Sequence, residues 1–176
     1  MFRTMIIETM TGPMGREVMN AKATENASVC GWFDGGRHVY PVRVYYEDTD
    51  AAGIVYHANY LRFGERARTE MMRCLGAEHR RMMQSDGLAF AVRSANTEFH
   101  HPARLDDPLM VETSVEEVGG ASMRLAQTVM SIDPEKGTRV ALVQISIRLA
   151  CIDAALQPAR LPKPVRAALQ ELIKDH

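Results

Sequence analysis

The sequence predicts an α+β domain in which a curved antiparallel sheet of five strands wraps around one long central helix. Three observations carry this expectation. A short segment of period two precedes a long segment of period 3.6, and four further extended segments then follow in close succession. The joining loops are short, so neighbouring strands should be antiparallel partners. One strand, one long helix and four strands cannot form a doubly wound sheet, but they can wrap a single helix.

Residues 1–37 mix Gly, Asn, Ser, Met and charges without a sustained period, and Gly31, Gly35 and Gly36 punctuate the approach to the first strand. They read as a loose extension, with a short helix around residues 16–23 as its one structured option. Residues 38–46 form a strand with Val42 and Val44 on one face and Arg43 and Tyr45 on the other; Pro41 suggests an edge or an irregular first turn. From Asn59 the period lengthens, and Tyr60, Phe63, Ala67, Met71 and Cys74 or Leu75 share one stripe. Asn59 is the expected N-cap and Gly76 the expected stop. A short helical piece at residues 78–85 leads into extended segments at 88–99, 109–118, 122–132 and 139–152. In the last of these Val143, Ile145, Ile147 and Leu149 alternate with Gln144, Ser146 and Arg148. The domain should therefore occupy residues 38–152, and residues 153–176 should form a peripheral tail with a short helix after Pro162 and Pro164.

The 176 residues fit one domain, and a hydrophobic content of 46% is enough for a sizeable core. Lysine and arginine total 21 against 22 aspartates and glutamates, a balance that gives no reason to expect a nucleic-acid-coating surface. Cys30, Cys74 and Cys151 are far apart and odd in number, which fits a reducing compartment better than a disulfide framework. The first residues lack both a signal-peptide core and a membrane span, so the expected location is the cytoplasm.

The densest chemistry lies in Glu47-Asp48-Thr49-Asp50-Ala51-Ala52-Gly53-Ile54-Val55-Tyr56-His57-Ala58-Asn59, between the strand and the helix. Gly53 permits a tight turn or a close approach to a ligand. A helix start offers unpaired N–H groups and positive dipole potential, which suit the developing negative oxygen of a thioester or ester carbonyl. Asp50 is the candidate carboxylate, either deprotonating water or attacking the carbonyl itself to give an anhydride. A polar turn or cap made by Asp48, Thr49 and Asp50 is the simpler account of the same residues. His57 could orient substrate, tune Asp50 or be an ordinary loop histidine. Glu65 either reaches a pocket beside Asp50 or is a solvated ion-pair partner. The spacing of Glu47, Asp48, Asp50 and His57 resembles no zinc motif, so neither metal nor cofactor is expected. In the 100–107 loop, His100-His101-Pro102 reads as a turn, and a lone Arg104 is weak evidence for phosphate binding.

These residues resemble the hotdog-fold acyl-CoA thioesterases, specifically the branch associated with the Tol-Pal cell-envelope system, and are similar to the 4-hydroxybenzoyl-CoA thioesterases. The matching segments are Val42-Arg43-Val44-Tyr45-Tyr46-Glu47-Asp48-Thr49-Asp50, Gly53-Ile54-Val55-Tyr56-His57-Ala58-Asn59-Tyr60, Glu65-Arg66-Ala67-Arg68-Thr69-Glu70 and Pro102-Ala103-Arg104-Leu105-Asp106-Asp107. The resemblance implies Asp50 as catalytic carboxylate, the backbone N–H at His57 as receiver of the thioester oxygen, and a pocket lined or braced by the His57 side chain, Tyr46 and Asn59. Gly53, Val55, Tyr56 and Glu65 complete the candidate substrate-binding positions. It further implies hydrolysis of short- to medium-chain acyl-CoA without a metal, a homodimer or homotetramer with sites between subunits, and envelope-associated protein partners. A peripheral place at the inner membrane would follow from such partners. Two features depart from the family pattern: Gly64 stands in the helix where a larger residue is common, and residues 1–37 have no counterpart in compact relatives. Acyl-thioester hydration or dehydration, and a non-catalytic acyl-binding or protein-interaction module, are the competing readings.

Overall fold

The computed structural model describes residues 30–77, 82–133 and 137–174. Most of the expected N-terminal extension, including the short helix considered at residues 16–23, lies outside the described residues.

Strands β1 (Trp32–Asp34) and β2 (Arg37–Arg43) are followed by a single 3-10 turn at Tyr46–Asp48 and helix α1 (His57–Cys74). After a π-helical turn at Met82–Asp86 come β3 (Ala89–Phe99), β4 (Pro108–Val118), β5 (Ser122–Ile132), β6 (Arg139–Ile152) and helix α2 (Lys163–Lys174). The strands form one antiparallel sheet in the order β1-β2-β4-β5-β6-β3. It is the expected hotdog-type α+β arrangement with α1 against the concave face, but the sheet has six strands rather than five, and helical pieces besides α1 are present. The additional strand, β1, arises within the stretch read as a loose extension. A two-residue Gly35-Gly36 turn, with Gly35 at φ 57°, folds it back on β2 so that Trp32 faces Val39.

The core follows the two periodicities. Tyr60, Phe63, Ala67 and Met71 of α1 are buried, against Leu109, Val111 and Val115 of β4, Leu125 and Val129 of β5, and Val143, Ile145 and Ile147 of β6. Helix α2 is not peripheral: Val165, Leu169 and Leu172 enter the same core. Its polar face remains in water, as the i, i+4, i+7 spacing of those apolar residues requires. No described helix is long and apolar enough to cross a membrane.

The order of the strands explains where the site forms. Strand β3 lies at the far edge beside β6, whereas β4 lies between β2 and β5, so the 100–107 connection must pass over the end of the sheet. There it meets the start of α1: Val55 N–H donates to the Ala103 carbonyl at 2.9 Å, and Ala103 N–H donates to the Tyr60 hydroxyl at 2.8 Å.

Candidate active site

Residues 49–55 form a small antiparallel excursion closed by a Thr49–Val55 bridge. At its tip Asp50 N–H donates to the Ile54 carbonyl at 3.0 Å, and Gly53 N–H donates to the Asp50 carbonyl at 2.9 Å. Gly53 has φ 72° and open space where a Cβ would stand, so the left-handed turn is what calls for glycine here. One oxygen of Asp50, Oδ1, accepts from Ala52 N–H at 2.8 Å, which fixes the carboxylate while leaving the residue exposed.

Asp48 plays a different part. It is buried, its Oδ2 accepts from Tyr45 N–H at 2.9 Å, and its carbonyl accepts from Tyr56 N–H at 2.8 Å and from the Asn59 side-chain amide at 2.9 Å. The polar-turn reading describes Asp48 well and also covers Asp50, whose Ala52 N–H bond is an Asx turn, but Asp50 in addition lines a cavity. Asn59 is not the N-cap: the helix begins at His57, Tyr56 caps it without a side-chain bond, and Asn59 sits buried in the first turn as a brace. With no side-chain cap on Tyr56, the N–H groups of His57 and Ala58 have no intrahelical acceptor.

Asp50 and His57 line one cavity of about 390 Å³, together with Ile54, Val55, Tyr60 and residues 99–102. Its wall is mostly apolar and aromatic. The His57 and Phe99 rings meet edge-on with centroids 6.3 Å apart, and Tyr60 meets Phe99 in the same manner at 6.0 Å. Burial pushes the Tyr60 phenol above its ordinary pKa, so it stays protonated at neutral pH. The cavity thus joins a carboxylate, the positive end of a helix and an apolar slot open to solvent.

Of the sequence-derived candidates, Asp50, Val55 and His57 line this cavity. Asn59 braces it from below through Asp48, and Tyr56 packs its ring against His57 at 4.4 Å. Tyr46 is 83% exposed on the 3-10 turn, and Gly53 shapes the loop tip without lining the cavity. Glu65 lies elsewhere: it pairs with Arg68 at the mouth of a separate pocket of about 90 Å³ bounded by Met71, Phe90 and Leu149. Among the described residues no group of three or more His, Cys, Asp or Glu side chains is placed to hold a metal. Phe99, His100, His101 and Pro102 were read from sequence as strand end and turn, and their place in the wall follows from the crossover of 100–107. Two adjacent histidines before a proline were the available signal.

A long helix packed on an antiparallel sheet, with a carboxylate and the helix's opening residue lining one apolar cavity, is the arrangement of a hotdog-fold thioester hydrolase. Comparison with known proteins agrees. The Thioesterase superfamily pattern matches residues 52–138. The acyl-CoA thioesterase YbgC of Haemophilus influenzae is 43% identical over 134 residues, covering 76% of this chain and 94% of that protein. The acyl-CoA thioester hydrolase YbgC of Escherichia coli O6:H1 is 38% identical over 133 residues, covering 75% and 95%. Among solved structures, a probable thioesterase from Bartonella henselae superposes with a TM-score of 0.65 at 33% identity, over 72% of this chain and 99% of the other. The chain belongs to the YbgC-type acyl-CoA thioesterases of the Thioesterase superfamily.

Proposed function

We propose that this chain hydrolyses the thioester of short- to medium-chain acyl-CoA at the Asp50 cavity, giving free acid and CoA. The observation that carries the proposal is that Asp50 and the opening residue of α1 line the same cavity. The acyl group occupies the apolar slot against Phe99 and Tyr60, and the thioester oxygen lies against the N–H of His57. Negative charge that develops on this oxygen meets fixed donors and the helix dipole. In one route Asp50 takes a proton from water, hydroxide adds to the carbonyl carbon, and the tetrahedral oxyanion collapses with cleavage of C–S; the departing thiolate takes the proton. In the other, the Asp50 carboxylate attacks the carbonyl, CoA leaves, and water hydrolyses the anhydride. A single turnover in ¹⁸O-water tests the second route, because label in the Asp50 side chain can arise only when water attacks an anhydride at the Asp50 carbonyl carbon.

Among the described residues, strand β3 is an edge of the sheet. This edge strand runs eleven residues, and pairing it with another β3 would satisfy its free backbone groups. We extend the proposal to a homodimer built on this edge, or a homotetramer of such dimers. The resemblance to the Tol-Pal-associated branch supports envelope-associated partners and a cytoplasmic protein seated peripherally at the inner membrane.

The test is Asp50→Asn assayed by thiol release on a panel of acyl-CoA chain lengths. A folded variant should lose about 10²-fold or more in turnover at every chain length. Undiminished hydrolysis by that variant would remove Asp50 from the chemistry, and formation of a water adduct instead of free acid would favour the hydratase reading.

A further inference from the structure

Cys30 and Cys74 are 44 positions apart, yet the fold brings them together where the turn before β1 meets the last turn of α1. Cys74 Sγ lies 3.5 Å from the Cys30 carbonyl, to which its thiol donates, and 3.8 Å from His38 Nε2. Beneath them His38 is fully buried and donates through Nε2 to the Cys30 carbonyl at 2.9 Å. Gly31 holds this turn closed: at φ 78°, a Cβ there would stand 2.2 Å from the Val39 carbonyl oxygen. The backbone of Cys30 is therefore held against the Cys74 sulfur by a turn that only glycine permits, which brings the two cysteines into each other's reach. Cys74 is exposed and Cys30 half-buried, so a small reagent can reach the pair.

We propose that Cys30 and Cys74 are a redox-modifiable dithiol, converted to an intramolecular disulfide by a low-molecular-weight disulfide such as oxidised glutathione. The Cys74 thiolate attacks the reagent S–S bond, forming a mixed disulfide and releasing one reagent thiol. The Cys30 sulfur then displaces the second, and the leaving thiolate takes up its proton. The protein gives up two electrons and two protons, and the reagent becomes two thiols. Burial, then the neighbouring Cys30 and Glu70, push the Cys74 thiol above its ordinary pKa, so the first step is slow at neutral pH and quickens as pH rises. The cross-link would tie the segment ahead of β1 to the foot of α1. That foot lies about 25 Å along the helix from His57, by the ordinary rise per residue, so the Asp50 cavity should not feel it.

The experiment incubates the full-length protein with oxidised glutathione at mildly alkaline pH and maps disulfides by non-reducing peptide mass spectrometry. The expected result is one monomeric species about 2 Da lighter, with the Cys30 and Cys74 peptides joined. Cys151, buried on β6, remains a thiol. In Cys30→Ser, Cys74 should instead retain a stable glutathione adduct, while acyl-CoA hydrolysis stays unchanged in both proteins. A stable adduct on Cys74 in the unsubstituted protein, cross-links between chains only, or no reaction at all would overturn the proposal.

Discussion

The side-chain amide of Asn59 donates to the main-chain carbonyl of Asp48 at 2.9 Å, tying the acid-bearing loop to the first turn of α1. This bond connects the two halves of the site, because Asp50 sits on the loop and the free N–H groups sit on the helix. Asn59→Ala should therefore lower stability by about 0.5–1.5 kcal/mol, the net worth of one buried hydrogen bond, since the Asp48 carbonyl keeps the Tyr56 N–H as a partner. Turnover should fall with it while KM changes less, since the loop and helix lose their fixed separation. Denaturant unfolding and steady-state kinetics on the same preparation check both effects.

A buried polar network sets the next prediction. Gln127 on β5 accepts from Arg68 at 2.5 Å and donates to the Gly64 carbonyl and the Thr113 hydroxyl, each at 3.0 Å. A Cβ on Gly64 would stand 2.9 Å from Gln127 Oε1 and 3.4 Å from Arg68 Nη1. The glycine that departs from the family pattern thus makes room for a glutamine. Helix propensity alone would favour Gly64→Ala by up to about 1 kcal/mol. The glutamine is held by three bonds and cannot yield cheaply, so overpacking should win and the variant should be destabilised by about 1–3 kcal/mol. A midpoint that rises on thermal unfolding would show that the network relaxes.

His38 and Glu70 make stability depend on pH. Burial lowers the pKa of His38, and the Arg73 hydrogen bond lowers that of Glu70. In both cases the unfolded chain binds protons more readily, so the stability they contribute is complete above the unfolded value and is lost as pH falls. The loss should begin near the ordinary histidine value of about 6.5 and continue below the carboxylate value of about 4.5. His38→Gln, whose amide can still donate to the Cys30 carbonyl, should flatten the upper part of that profile between pH values of about 7 and 5. Urea titrations across pH measure it.

Much of this architecture could be read before any coordinates. The Tyr60, Phe63, Ala67, Met71 stripe and the alternation of β6 describe the core because a buried helix face and a half-buried strand impose fixed periods. Strand β1 was missed although Gly35-Gly36 marks a hairpin turn, since a three-residue strand has too few positions to show alternation. Asp50 and His57 stood out because loop, glycine and helix start are close in sequence. The opposite wall, Phe99 to Pro102, depends on β3 being placed beside β6, which no local pattern states. Cys30 and Cys74 meet for the same nonlocal reason.

The most direct test compares His57→Pro with His57→Ala. Proline is well suited to a first helical position, and Tyr56, at φ −60° and ψ 130°, already has the backbone that precedes a proline. The substitution therefore deletes one N–H while leaving the helix intact, and the alanine variant controls for the lost imidazole. If the backbone donor at position 57 holds the thioester oxygen, the proline variant should lose about 10²–10³-fold in acyl-CoA turnover relative to the alanine variant. Equal rates in two equally folded proteins would contradict the account.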